Sequence, residues 1–161
     1  METKDKELHR ITTTAIIYSS DFKYLITKRS LYKKVMPGKW TVPGGGLCID
    51  DYVNTKPSTE GSNQWYGVLE NSLRREIREE VNVEIGKPEF LVDLTFIRPD
   101  GVPVLCISYY APYISGEVIL DEDATEYTWI SADEVANYDL IEGIDHEIQQ
   151  VDEILKKRNS S

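Results

Sequence analysis

In the stretch VLENSLRREIREEV the apolar residues Leu69, Leu73, Ile77 and Val81 recur every four positions, which draws a single stripe along a predicted helix and leaves its other faces polar. Asn82 follows where a left-handed cap often ends a helix, and Asn tolerates that conformation. Elsewhere the pattern is that of strands. Residues 11–18 (ITTTAIIY) and 24–29 (YLITKR) are β-branched and aromatic, and Ser19, Ser20 and Asp21 between them supply turn chemistry, so a hairpin is predicted. Residues 90–97 (FLVDLTFI) and 102–110 (VPVLCISYY) flank Pro99-Asp100-Gly101, whose residue types preset turn angles, and they predict a second hairpin. A short strand in KWTV runs into PGGG, and residues 127–130 read as a further strand after a loop at Ser115-Gly116. Ser131-x-x-Glu134 is a capping box that opens a short helix, while Ile144, Ile148, Val151 and Leu155 mark a C-terminal one. Strands, helix, strands and helices in that order predict an α/β fold with helices packed on the faces of a mixed sheet.

No linker, repeat or low-complexity tract divides the 161 residues, so residues 1–161 are read as one domain. No apolar run approaches the roughly 18 residues that a membrane span needs. Residues 1–10 (METKDKELHR) are too charged for a secretory signal. Cys48 and Cys106 form no CxxC pair, which argues against a zinc site or disulfide framework and makes a cytoplasmic location the default. With 18 Lys and Arg against 28 Asp and Glu, the net charge of −10 speaks against long nucleic acid held by a general positive field. The distribution changes that picture locally. Residues 22–49 contain no acid but carry Lys23, Lys28, Arg29, Lys33, Lys34 and Lys39. A solvated basic surface is the ordinary meaning of such a run. Beside a glycine run and an acid cluster, a site for a small polyanion becomes competitive.

That cluster is REIREEV, residues 75–81. At about 100° per residue, Glu76 and Glu80 project close to the apolar stripe and Glu79 lies just beyond. An ordinary solvated helix with an Arg75–Glu79 pair, worth a few tenths of a kcal/mol, explains the crowding poorly. Partly desolvated carboxylates need a compensating charge, and Arg75 alone cannot neutralise three of them. A hard divalent cation, Mg²⁺ or Mn²⁺, can. Such an ion prefers oxygen ligands and keeps several waters, leaving room for phosphate oxygens.

PGGG followed by REIREEV resembles the Nudix hydrolases, whose box reads Gly-x5-Glu-x7-Arg-Glu-U-x-Glu-Glu-x-Gly-U with U aliphatic. Arg75, Glu76, Ile77, Glu79, Glu80, Val81 and Val83 match its second half, and KWTVPGG and EYTWISADE extend the likeness along most of the chain. The resemblance implies an α/β/α sandwich in which a strand, loop and helix bind metal beside a nucleoside diphosphate. Three departures stand out. Gly45 precedes Glu76 by 31 positions, 16 more than the box allows, so residues 47–65 hold an insertion. Counted back from Glu76, the first glutamate of the box falls on Gly67, with Glu70 a turn later as a substitute; its last glycine falls on Asn82.

The resemblance therefore implies a pyrophosphohydrolase acting on a small nucleotide substrate, such as a nucleoside triphosphate, a nucleotide sugar or ADP-ribose. Glu76, Glu79 and Glu80 are the candidate metal ligands, with Arg75 orienting them. Glu79 or Glu122 is the candidate base. Lys28, Arg29 and Lys39 are candidates for phosphate charge, and Gly44 and Gly45 for close backbone approach. Trp65 and Tyr66 offer stacking surface on the insertion, which is expected to act as a lid over the group beyond the diphosphate. A homodimer is compatible with the sequence. The rival reading, a nucleotide-binding sensor on the same fold without hydrolysis, draws its support from the acid missing at Gly67. A third, an acidic interaction domain without ligand, carries little weight.

Overall fold

The computed structural model describes residues 6–161, so half of the charged start read as residues 1–10 lies outside the described residues. Among the described residues the order is β1 (Arg10–Tyr18), β2 (Tyr24–Arg29), β3 (Trp40–Thr41), β4 (Gly44–Gly46), α1 (Val68–Val81), β5 (Glu84–Ile85), β6 (Glu89–Ile97), β7 (Pro103–Ser115), β8 (Ala124–Ile130) and α2 (Ile144–Asn159). β1 is the spine. It runs parallel to β7 from Arg10 opposite Val104 to Tyr18 opposite Pro112, and antiparallel to β2 and β4. A parallel pair cannot be closed by a tight turn, and the long connection between these two carries α1. β6 pairs antiparallel with β7 through the predicted turn, and β8 lies along β2. The sheet is mixed, as expected.

Alternation along the strands sends successive side chains to opposite faces. Ala15, Ile17 and Leu25 face α1, where Leu73, Ile77 and Val81 of the stripe close one core. Ile16, Tyr24 and Ile26 face the other way and pack with Tyr110 against Ile144, Ile148, Val151 and Leu155 of α2. Truncating such a fully buried Leu or Ile to Ala costs about 2–5 kcal/mol. The result is the α/β/α sandwich. A polar strut joins α2 to the sheet: the Tyr24 hydroxyl donates to Asp152 Oδ1 at 2.8 Å, and Lys156 pairs with the other oxygen at 2.6 Å. No helix of the described residues is long and apolar enough to cross a membrane.

Several expectations change in detail. The first hairpin closes at Tyr18 opposite Tyr24, but the main ladder of β2 is with β8. β7 continues to Ser115, so residues read as the end of a strand and a loop form one long strand. The capping box at Ser131 is present, yet the turn it opens is a 3-10 helix, Ala132–Asn137. The glycine run is strand rather than turn, with Thr12, Thr13 and Thr14 opposite Gly46, Gly45 and Gly44.

Candidate active site

β4 lies between β1 and α1 at a spacing that only glycine permits. A Cβ on Gly44 would come within 2.2 Å of the Thr13 carbonyl oxygen, and one on Gly45 within 2.1 Å of the Glu76 carboxyl carbon. With hydrogens there instead, the Gly44 N–H donates to Glu80 Oε2 at 3.1 Å. Glu76 and Glu80, one helical turn apart on α1, thus meet the glycine strand and line a cavity of about 1030 Å³.

The charges around these two acids are unequal to the task of neutralising them. Burial pushes the Glu80 carboxyl up to about 8; the Gly44 N–H works against that shift, while Glu76, Asp121 and Asp123 reinforce it. Burial likewise raises Glu76, offset in part by Arg75. Glu79 sits at the rim, with 58% of its side chain exposed, paired with Arg75 at 2.9 Å. The expected ligand set therefore divides, with Glu76 and Glu80 inside and Glu79 outside. Among the described residues no three such side chains already close into a cage. Two desolvated carboxylates with like charges nearby nonetheless fit a hard cation that completes its shell with water and phosphate oxygens.

Arg75 divides its one charge among three acids. Its guanidinium bonds both oxygens of Asp51, Glu76 Oε1 at 3.0 Å and Glu79 Oε2 at 2.9 Å. Only 4% of the Asp51 side chain is exposed, and the Arg75 hydrogen bond, then the Cys48 N–H, hold its carboxyl below the usual range against the effect of burial. Asp51 lies six residues after Gly45, the spacing of Gly-x5-Glu. Asp51 thus has the spacing from Gly45 of the acid that a count back from Glu76 puts at Gly67, and on that count the extra residues fall after it, between Asp51 and Arg75. Gly67 instead precedes α1 at φ 73°, a left-handed conformation that suits glycine, and Glu70 is taken by Arg74 at 2.8 Å. Counting forward from Gly45 would have found Asp51; counting back from Glu76 across an insertion could not.

Of the basic candidates, Arg29 lines the cavity and donates to the Val35 carbonyl at 2.8 Å. Lys28 and Lys39 do not line it: they pair with Glu126 at 2.8 Å and Asp139 at 2.6 Å. Lys33, Lys34 and Arg10 do line it and were not singled out. Arg10 lies so close to Gly46 that a Cβ there would stand 2.4 Å from its guanidinium. Glu122 is exposed and off the cavity, whereas its neighbour Asp123 lines the wall and pairs with Lys33 at 2.6 Å. Trp65 and Tyr66 do not reach the cavity either. Trp65 packs on Tyr52, ring centroids 5.3 Å apart, and donates to the Thr55 carbonyl, which knots the insertion onto itself.

A glycine strand pinned to an acid-bearing helix, on an α/β/α sandwich, defines the class of protein. Similar proteins agree. The chain is 26% identical over 139 residues to the nucleoside triphosphatase NudI of Klebsiella pneumoniae, covering 80% of this chain and 87% of that one. A MutT NUDIX hydrolase from Burkholderia pseudomallei superposes with a TM-score of 0.70 at 23% identity, covering 90% of this chain and 99% of the other. The NUDIX domain of Shewanella oneidensis NrtR, solved with ADP ribose, gives 0.70 at 20% identity over 96% and 94%. No family model matches the chain. The chain has the fold of the Nudix hydrolases and is similar to them in sequence.

Proposed function

We propose that this protein is a divalent-cation-dependent hydrolase that splits a phosphoric anhydride bond in a nucleoside diphosphate derivative, with nucleoside triphosphates the first class to test. The observation that carries this reading is the pair Glu76 and Glu80, short of positive charge beside β4, in a cavity that also bears Arg10, Arg29, Lys33 and Lys34. The similarity to a nucleoside triphosphatase supports the substrate class.

Mg²⁺ or Mn²⁺, held by Glu76 and Glu80 with Glu79 at the rim, would neutralise phosphate charge and act as a Lewis acid. The chain's own residues do the rest. Arg29, Lys33 and Lys34 draw the non-bridging oxygens to one wall and orient the anhydride. Arg75, fixed by Asp51, holds Glu76 and Glu79 in place. Water attacks phosphorus, a P–O bond forms, the bridging P–O bond breaks, and the departing phosphate carries the electron pair away. Glu79 is the candidate for accepting the proton of that water, and Glu122 the more distant alternative. The sensor reading draws its support from the acid missing at Gly67, and Asp51, an acid paired with Arg75 at the box's spacing from Gly45, weakens that support.

The test is a panel of nucleoside triphosphates, nucleotide sugars, ADP-ribose and dinucleoside polyphosphates with millimolar Mg²⁺ or Mn²⁺, the products identified by chromatography. Turnover that stops with a chelator and returns with the cation is the expected result. Binding without turnover of any compound would leave the sensor reading.

A further inference from the structure

A second hollow, of about 380 Å³, opens at the end of the β1–β2 hairpin and shares no residue with the cavity at Glu76 and Glu80. Its walls are aromatic. Tyr127 and Trp129, two residues apart on β8, project to one face of the sheet, and Tyr113 near the end of β7 meets Trp129 edge to face with ring centroids 5.5 Å apart. The Tyr113 hydroxyl donates to the Gly116 carbonyl at 2.6 Å, which fixes that ring. Gly116 and Val118 close a further side. Their segment is pinned to the end of α1, where Asn82 Nδ2 donates to the Glu117 carbonyl and the Ile119 N–H to the Val81 carbonyl, both at 3.1 Å. The hairpin turn supplies the rest, with Ser19, Asp21 and Lys23.

Tyr113, Val118 and Trp129 each rest one side on the core beneath α1, whereas Tyr127 keeps 44% of its surface exposed. A single exposed tyrosine means little. Beside two further rings and a carboxylate it defines a chemistry. Asp21 accepts from the Ser19 hydroxyl and makes no ion pair among the described residues. Lys23 lines the hollow too, but its ammonium pairs with Glu134, a residue outside the lining, at 3.7 Å. The charge left facing the hollow is therefore negative, and the faces of the rings carry the negative end of their quadrupole as well. An anion is repelled by both. A hard metal ion fits poorly, because it needs several oxygen ligands and one carboxylate supplies at most two. What suits rings and a lone carboxylate together is a cation with an apolar, weakly hydrated surface.

We propose that this hollow is a binding site for a small alkylated ammonium ion, held against Tyr113, Tyr127 and Trp129 and paired with Asp21. The alkyl groups lie on the rings, where a bare ammonium would give up more hydration than the rings return. The carboxylate sets the sense of charge and distinguishes the cation from an uncharged group of the same shape. The site stands apart from the proposed catalytic centre, and it does not depend on the hydrolase reading.

The experiment titrates choline into the isotopically labelled full chain and follows the tryptophan indole N–H signals by NMR. The control ligand is the uncharged isostere of choline in which a tert-butyl group replaces the trimethylammonium. Of the three tryptophans, Trp129 reports on the hollow, while Trp40, packed on Tyr138, and Trp65, packed on Tyr52, serve as internal references. Choline should shift the Trp129 signal saturably and leave the other two in place. The isostere should bind about threefold or more weakly, the increment expected of a cation over partly exposed rings. Asp21→Asn and Tyr127→Leu should each weaken choline about threefold, and Asp21→Asn should leave the isostere unchanged. Unmoved Trp40 and Trp65 signals establish that both variants fold. No saturable Trp129 shift at tens of millimolar, a parallel shift of all three indoles, or equal affinity for choline and its isostere would overturn the proposal. So would a choline affinity indifferent to both substitutions.

Discussion

On one side of α1 Arg75 gathers Asp51, Glu76 and Glu79 around one guanidinium, which fixes the direction of each carboxylate. One turn further on, Glu80 accepts one backbone N–H, feels Arg29 without an ion pair to it, and stands against the repulsion of Glu76, Asp121 and Asp123. The first arrangement positions its acids, with the buried Asp51 as its anchor, and works as scaffold. The second is incomplete, and the shortfall of positive charge is what a cation and its phosphate would use. The acids look alike in sequence, and the difference lies in how far each is desolvated and what stands opposite.

Removing the shortfall should have the largest effect. Glu80→Gln is expected to keep the fold and to lower kcat/KM by two or more orders of magnitude at saturating Mg²⁺; near wild-type turnover would end the assignment of Glu80 as a ligand. The same substitution tests the electrostatics without the cation. A folded-state value of about 8 against an ordinary 4.5 means the folded protein keeps a proton that the unfolded chain has released between those limits. That stability is fully present below pH 4.5 and is lost as pH rises through 8. Metal-free wild type should therefore melt lower at pH 8.5 than at pH 5, and Glu80→Gln should flatten that dependence. A wild-type melt that rises over the same interval would contradict the burial argument.

On the scaffold side the expected effect is smaller. Asp51→Asn frees Arg75 from its strongest partner and should cost roughly 10–100-fold in kcat/KM, as loss of a group that orients ligands commonly does. Asp51→Glu should recover part of it. Wild-type turnover in Asp51→Asn would reduce Asp51 to a structural ion pair with no part in positioning the site.

The smallest effect belongs to the insertion beyond Asp51. Its knot of Tyr52, Thr55 and Trp65 stands off the cavity. Replacing residues 54–64 with a short Gly/Ser link should cost little stability, since closure entropy changes by only about 0.6 kcal/mol per doubling of loop length. The order of preference among substrates should stay the same. A changed order would restore the role of lid that its aromatic residues suggested.

The sequence by itself determined the elements and the chemistry local to them. The four-residue stripe, Asn82 at φ 57°, the Pro99-Asp100-Gly101 turn and the Ser131 capping box act within a few residues, so their signals survive without knowledge of the fold. REIREEV was legible for the same reason, since its spacing on a helix sets which acids share a face. Only the tertiary structure decided the matters that depend on meetings across the chain. Asp51 reaches Arg75 over an insertion whose position no helical period reports. Lys28 and Lys39 turn to Glu126 and Asp139, while Arg10 and Lys33 come to the cavity because β1 and the loop after β2 border it. Charge and hydrogen bonding act over a few ångströms of space, and at long sequence separation the fold alone sets that distance.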